Sequence, residues 1–198
     1  MGSKRRGQGR RTNSVDAGSR RTYIIVGLIA VAFLGGFAAL VIVDARQKAA
    51  STPPGEVKTY DVGPGGQHTD GVVDYAQTPP VGGEHNPVWQ NCGFYSEPVA
   101  NENAVHSLEH GAVWITYSPD LPQDQVDQLR DLAHSQTYIL VSPYPDLPSP
   151  VVASAWGKQL RLESADDPDL ERFVRAYRQG PQTPERGAVC TGGIGQPS

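Results

Sequence analysis

The chain has 198 residues and a formal net charge of -4, a total that hides a strong asymmetry. Seven of its seventeen Lys and Arg residues, but only one of its twenty-one Asp and Glu residues, precede Tyr23. The remainder carries ten basic against twenty acidic residues, a surface that repels phosphate and so argues against nucleic acid as a partner.

The first element is the run Tyr23–Val43, twenty-one residues without a charge. That is the length a helix needs to cross the hydrocarbon core of a bilayer. Lys4, Arg5, Arg6, Arg10, Arg11, Arg20 and Arg21 lie ahead of it. Basic residues beside a first span hold that flank in the cytoplasm and can touch anionic headgroups. The spacing therefore predicts a single-pass protein of the cell membrane: a disordered basic cytoplasmic tail over 1–22, a transmembrane helix over 23–43, and everything later outside. Two features fit export with cleavage instead: Val43-Asp44-Ala45 as a cleavage site, and the twin arginine at Arg20-Arg21. The length of the apolar run favours a retained anchor.

Residues 44–68 contain Thr52-Pro53-Pro54-Gly55 and Gly63-Pro64-Gly65-Gly66 and read as a Pro/Gly-rich linker. A globular domain is expected over 69–179, with an irregular tail over 180–198 tethered by Cys190. The first half of the domain is loop-rich. A short helix follows, capped by Asn101 or Asn103 and ended by Gly111 at its C′ position. Ala112–Tyr117 reads as a buried strand, and Asp120-Leu121-Pro122-Gln123 offers a capping box for a helix ending near Ser135. Tyr138–Val141 is a second strand, and Val151–Glu163 a third, bent at Gly157. In the last helix Asp167 caps, Pro168 takes the first position, Leu170, Phe173, Val174 and Tyr177 form the apolar stripe, and Gly180 ends it. This order predicts an α+β fold: a small, mostly antiparallel sheet with helices on one face, in a ferredoxin-like arrangement. Any further strand must come from the first half of the domain.

The densest polar group is Glu84-His85-Asn86, Cys92, and His106-Ser107-Leu108-Glu109-His110. His106 and His110 are one helical turn apart, so both imidazoles project from one face, where they can grip one transition-metal ion. His85 is the natural third ligand, with Glu102, Glu109 or Cys92 as a fourth. The alternative is a set of histidines in a buried hydrogen-bond network. H-x-x-E-H is also the pattern of inverted zincins, in which Glu109 would be the base. A blue-copper site is not expected, because the only methionine, Met1, precedes the span. His68, in the linker, and His134, at a helix end, read as solvated. An exterior pair of cysteines favours the disulfide Cys92–Cys190, which would leave histidines and carboxylates alone to hold any metal.

Pro80-Val81-Gly82-Gly83-Glu84-His85-Asn86-Pro87-Val88-Trp89-Gln90-Asn91-Cys92-Gly93, followed by His106-Ser107-Leu108-Glu109-His110-Gly111-Ala112-Val113, resembles the bacterial family catalogued as domain of unknown function 3105. The resemblance covers roughly Thr69 to Tyr177. It implies the same architecture, a basic tail, one membrane helix and an exterior domain, and it implies no activity. The glycine-rich basic leader and the Ala/Gly/Val-rich span look actinobacterial.

The function expected is thus a membrane-anchored, extracytoplasmic domain that binds or handles zinc or copper through His85, His106 and His110, alone or beside a membrane-protein complex. A non-catalytic structural or interaction module is the first alternative, and a zinc hydrolase using Glu109 the second. A binder is expected rather than an enzyme.

Overall fold

A computed structural model of the chain describes residues 17–51 and 53–198. The chain divides between Lys48 and Ala49 into two units. The first is built on helix α1, Ala17–Ser51. Its stretch Thr22–Ile42 is long and apolar enough to cross a membrane. Phe33, Leu34, Phe37 and Leu40 are all exposed there, and a helix apolar on every side needs an apolar surrounding. The basic tail expected over 1–22 lies outside the described residues as far as position 16. At its other end α1 runs on to Ser51, through residues expected to begin the linker. Ala45-Arg46-Gln47-Lys48-Ala49-Ala50 is made of strong helix formers, and Pro53-Pro54 follows to end the run.

The second unit is built on a six-stranded mixed sheet in the order β1-β6-β5-β3-β4-β2. Its strands are β1 (Lys58–Thr59), β2 (Gly93–Phe94), β3 (Val113–Tyr117), β4 (Ile139–Pro143), β5 (Val151–Ala155) and β6 (Lys158–Leu162). The helices are α2 (Asn101–Glu109), α3 (Gln123–Ser135) and α4 (Pro168–Tyr177). The class is α+β, as the order of elements implies.

Three expectations about the sheet need correction. First, β3 and β4 are parallel direct neighbours, Val113 opposite Ile139, joined by the α3 crossover. A ferredoxin-like fold would insert another strand between them. With β2 also parallel to β4, the sheet is mixed, although three of its five strand pairings are antiparallel, as expected. Second, the stretch 151–163 is a hairpin, not one bent strand. Ala155 pairs with Lys158, so Trp156-Gly157 form a two-residue turn, and Gly157 supplies the left-handed backbone at φ +65°. Third, the helices do not all share a face. Side chains alternate across a strand, so Val113, Ile115 and Tyr117 pack with Leu129 of α3 and Phe173 of α4, whereas Trp114 and Leu140 pack with Val105 and Leu108 of α2. Coverage on both sides buries every residue of β3, β4 and β5.

The helix ends follow from local chemistry, with two exceptions. Asp167 caps α4, its carboxylate accepting from Asp169 N–H at 2.9 Å, with Pro168 in the first turn. Gly111, at φ +96°, closes α2 in a Schellman pair: its N–H donates to Leu108 O and that of Ala112 to Ser107 O. Neither α2 nor α3 has a side-chain cap. Ala100 and Pro122 hold the cap positions, so the expected asparagine cap and capping box do not form. Residues 58–68, expected in the linker, are part of this unit: β1 pairs with β6, and His68 bridges to His85.

Candidate metal centre

Helix α2 is only nine residues long, yet seven are buried, among them Asn103, His106, Ser107 and Glu109. Polar side chains survive burial when each finds a partner. Here the partner is the loop 84–91, stapled along the helix. Ser107 Oγ donates to Gln90 O at 2.7 Å, Asn103 Nδ2 to Val88 O at 2.5 Å, and Gln90 N–H returns to Asn103 O at 3.0 Å. The same stapling brings His85 over the helix face that carries His106 and Glu109.

His85, His106 and His110 are all buried, and each turns Nδ1 onto a backbone carbonyl. The acceptors are Gly83 O at 2.7 Å, Asn86 O at 2.7 Å and Val189 O at 2.6 Å. A carbonyl oxygen only accepts, so each Nδ1 carries the proton and each Nε2 is the atom left to act. The Nε2 atoms converge: His106 and His110 bring theirs to 2.9 Å apart, and His85 places its own 2.9 Å from Glu109 Oε2. This is the arrangement by which metal-binding histidines are fixed in tautomer and orientation.

Two overlapping groups of donor atoms result, one of His68, His85, His106 and Glu109, the other of His106, His110 and Glu185. Within each the donor atoms lie no more than 4.8 Å apart. Donors sharing one tetrahedral zinc ion stand roughly 3.3 Å apart, so side-chain shifts of about 1 Å would close either group. The donors are imidazole and carboxylate, a set that suits zinc or copper(II). Trp156 stands edge-on to His85, and Trp89 leans on His110, so indole walls flank the imidazoles.

The electrostatics follow the contacts. Burial works to lower the pKa of His85, but the hydrogen bond and charge of Glu109, with the Gly83 carbonyl, outweigh it and raise the pKa. Burial dominates at His106, and the neighbouring His110 and His85 add to it against the Asn86 carbonyl, lowering its pKa to about 4. Glu109 is lowered: burial opposes its charge, but hydrogen bonds from His85 and Gly66 N–H and two nearby imidazoles favour it. Both its oxygens are engaged, Oε1 by Gly66 N–H at 2.5 Å and Oε2 by His85.

Of the candidate ligands, the structure brings His85, His106 and Glu109 into one group and His110 into the other, with His106 shared between them. It leaves Glu102 aside, where its carboxylate accepts from Val73 N–H at 3.0 Å. Cys92 is bonded to Cys190 across 98 residues of sequence and has no thiolate to offer. His134 is exposed against the Ser198 carbonyl. Sequence reasoning missed two donors. His68 is half-exposed, stacks on the His106 ring at 5.0 Å and brings Nε2 to 3.8 Å from Glu109. It arrives through a backbone bridge, Thr69 N–H to His85 O and His85 N–H to Gln67 O, that no side-chain pattern encodes. Glu185, from the tail, lies 3.5 Å from His110 Nε2, its N–H bonded to Glu109 O. The one signal for His68 was that the chain has only five histidines.

No curated protein and no solved structure matches this chain. The sequence model of a family described as "Protein of unknown function (DUF3105)" matches residues 67–192, a stretch that contains every residue of both donor groups and both cysteines. The chain belongs to that family.

Proposed function

We propose that the chain is a single-pass membrane protein whose extracytoplasmic domain binds one first-row transition-metal ion, zinc or copper. His106 is the central ligand, and His85, His110 and Glu109 complete the inner set, with His68 and Glu185 at the solvent side. The observation that supports this most is the shared orientation of three buried imidazoles, each held by a backbone carbonyl at Nδ1 with Nε2 turned inward. A bound ion would take the Nε2 lone pairs and neutralise the buried carboxylate. The side chains' own work is to hold that geometry, exclude water and give up the protons they carry without metal.

The engagement of both Glu109 oxygens supports a ligand or an ion-pair partner rather than a free general base, and so a binder rather than a hydrolase. The apolar stretch of α1 and the Cys92–Cys190 bond fit an anchored domain facing an oxidising exterior. The test is elemental analysis of the full chain in detergent after loading with zinc or copper and washing. About one equivalent is expected, given the tight binding of pre-organised sites, and less than about a tenth would refute the reading. For orientation, protease added to intact cells should remove the domain and spare the basic tail.

A further inference from the structure

The carbonyl that fixes His110 belongs to Val189, the residue directly before Cys190. Three contacts pin this piece of the tail: Tyr138 Oη donates to Ala188 O at 2.8 Å, Cys92 N–H to Cys190 O at 2.8 Å, and the Cys92–Cys190 bond is the covalent one. The disulfide is also reachable. It lines a surface cavity of about 410 Å³ with Gly93, Ser135, Tyr138 and Thr191. That volume falls in the range of small-molecule sites.

We infer that this cavity is a site of thiol–disulfide exchange for a small dithiol, and that the state of Cys92–Cys190 governs how firmly His110 holds the metal. The inference rests on the metal-binding reading. In the exchange a thiolate of the dithiol attacks Sγ of Cys92, the less buried of the two residues. The protein S–S bond breaks, and Cys190 leaves as a thiolate that takes a proton from water. The second thiolate of the reagent then attacks its own sulfur in the mixed disulfide, releasing Cys92 and a cyclic oxidised reagent. Two electrons pass from the dithiol to the cysteine pair. Residues 188–190 then lose their covalent pin, Val189 O no longer fixes Nδ1 of His110, and this ligand gains freedom it must lose again to bind.

The test uses the full chain in detergent, with zinc as the metal and dithiothreitol as the dithiol. Zinc affinity is measured in the oxidised chain, after reduction and alkylation, and after reoxidation of an unalkylated sample, with circular dichroism confirming the fold each time. Reduction is expected to weaken binding by about 10–100-fold, as loss of an orienting partner does, and reoxidation to restore it. In His110→Ala, which already lacks this ligand, reduction should change affinity less than about twofold, because the two changes act through one contact. Equal affinity in oxidised and reduced chains overturns the inference, as does an equal loss in wild type and His110→Ala. Should reduction unfold the chain, Tyr138→Phe with the disulfide intact replaces it: loosening Ala188 should weaken zinc binding in the otherwise wild-type chain but not in His110→Ala, and unchanged affinity, or an equal loss in both, overturns the latch. Failure of the oxidised chain to bind zinc at all is a different result, which removes the metal-binding reading itself.

Discussion

On one face of the sheet, α3 and α4 bury Leu129, Leu170, Phe173 and Val174 with almost nothing polar among them. On the other, α2 buries His106, Ser107 and Glu109 beside Val105 and Leu108. Both faces exclude water, yet the first is held by dispersion and area while the second depends on every polar atom finding its partner. The contrast teaches that α2 is held by satisfied polar contacts, where α3 and α4 are held by apolar area. A nine-residue helix with so much buried polar surface needs the loop 84–91 and the tail around Glu185 to satisfy it.

The contrast can be broken most forcefully by truncating one side chain on each face. Phe173→Ala should cost about 3–5 kcal/mol in denaturant unfolding and leave metal affinity unchanged once folded. Glu109→Gln should cost about 1–3 kcal/mol, since it leaves His85 without its charged partner, and should also weaken metal binding. If Phe173→Ala changed affinity as much as Glu109→Gln, the two faces would not be independent. Asp167→Ala removes one cap on the dry side and should cost about 1 kcal/mol with no effect on metal.

The pH dependence of the metal-free chain sharpens the same contrast. His106 is lowered from 6.5 to about 4, so its contribution is complete above 6.5 and is lost as pH falls toward 4. Glu109, also lowered, loses its contribution as pH falls below the ordinary carboxylate value of 4.5. His85 is raised, so its contribution is complete below 6.5 and is lost as pH rises through its folded value. Stability should therefore fall on both sides of mildly acidic pH. His106→Gln should flatten the acid limb, whereas Phe173→Ala should shift the whole curve down without changing its shape. Equal flattening by both variants would contradict the assignment of the acid limb to the α2 face.

The dry face was the legible one. Leu170, Phe173, Val174 and Tyr177 repeat with the helical period and sit between a proline-and-aspartate start and a glycine stop, so α4 can be read directly. The pair His106 and His110 was legible for the same reason, since His106 lies on α2 and His110 one turn later at its C-cap. What escaped is whatever depends on backbone pairing between distant segments. Strands β1 and β2 have two residues each, too few to show a period. The adjacency of β3 and β4 is a fact of register, and without it a ferredoxin-like order looked natural. His68 and Glu185 reach the centre from a glycine-rich loop and a proline-rich tail, whose composition argued for solvent. Turn-rich sequence forecast the absence of regular structure there but not the absence of contacts.

The central claim is that three carbonyl-held imidazoles share one ion on the polar face. X-ray absorption at the zinc edge of the zinc-loaded, oxidised full chain tests it directly. The expected spectrum shows nitrogen and oxygen neighbours at about 2.0–2.1 Å with the outer-shell scattering of imidazole rings, strongly reduced in His106→Ala. Zinc neighbours at about 2.3 Å, the distance of a sulfur ligand, or imidazole scattering unchanged in that variant, would contradict the account.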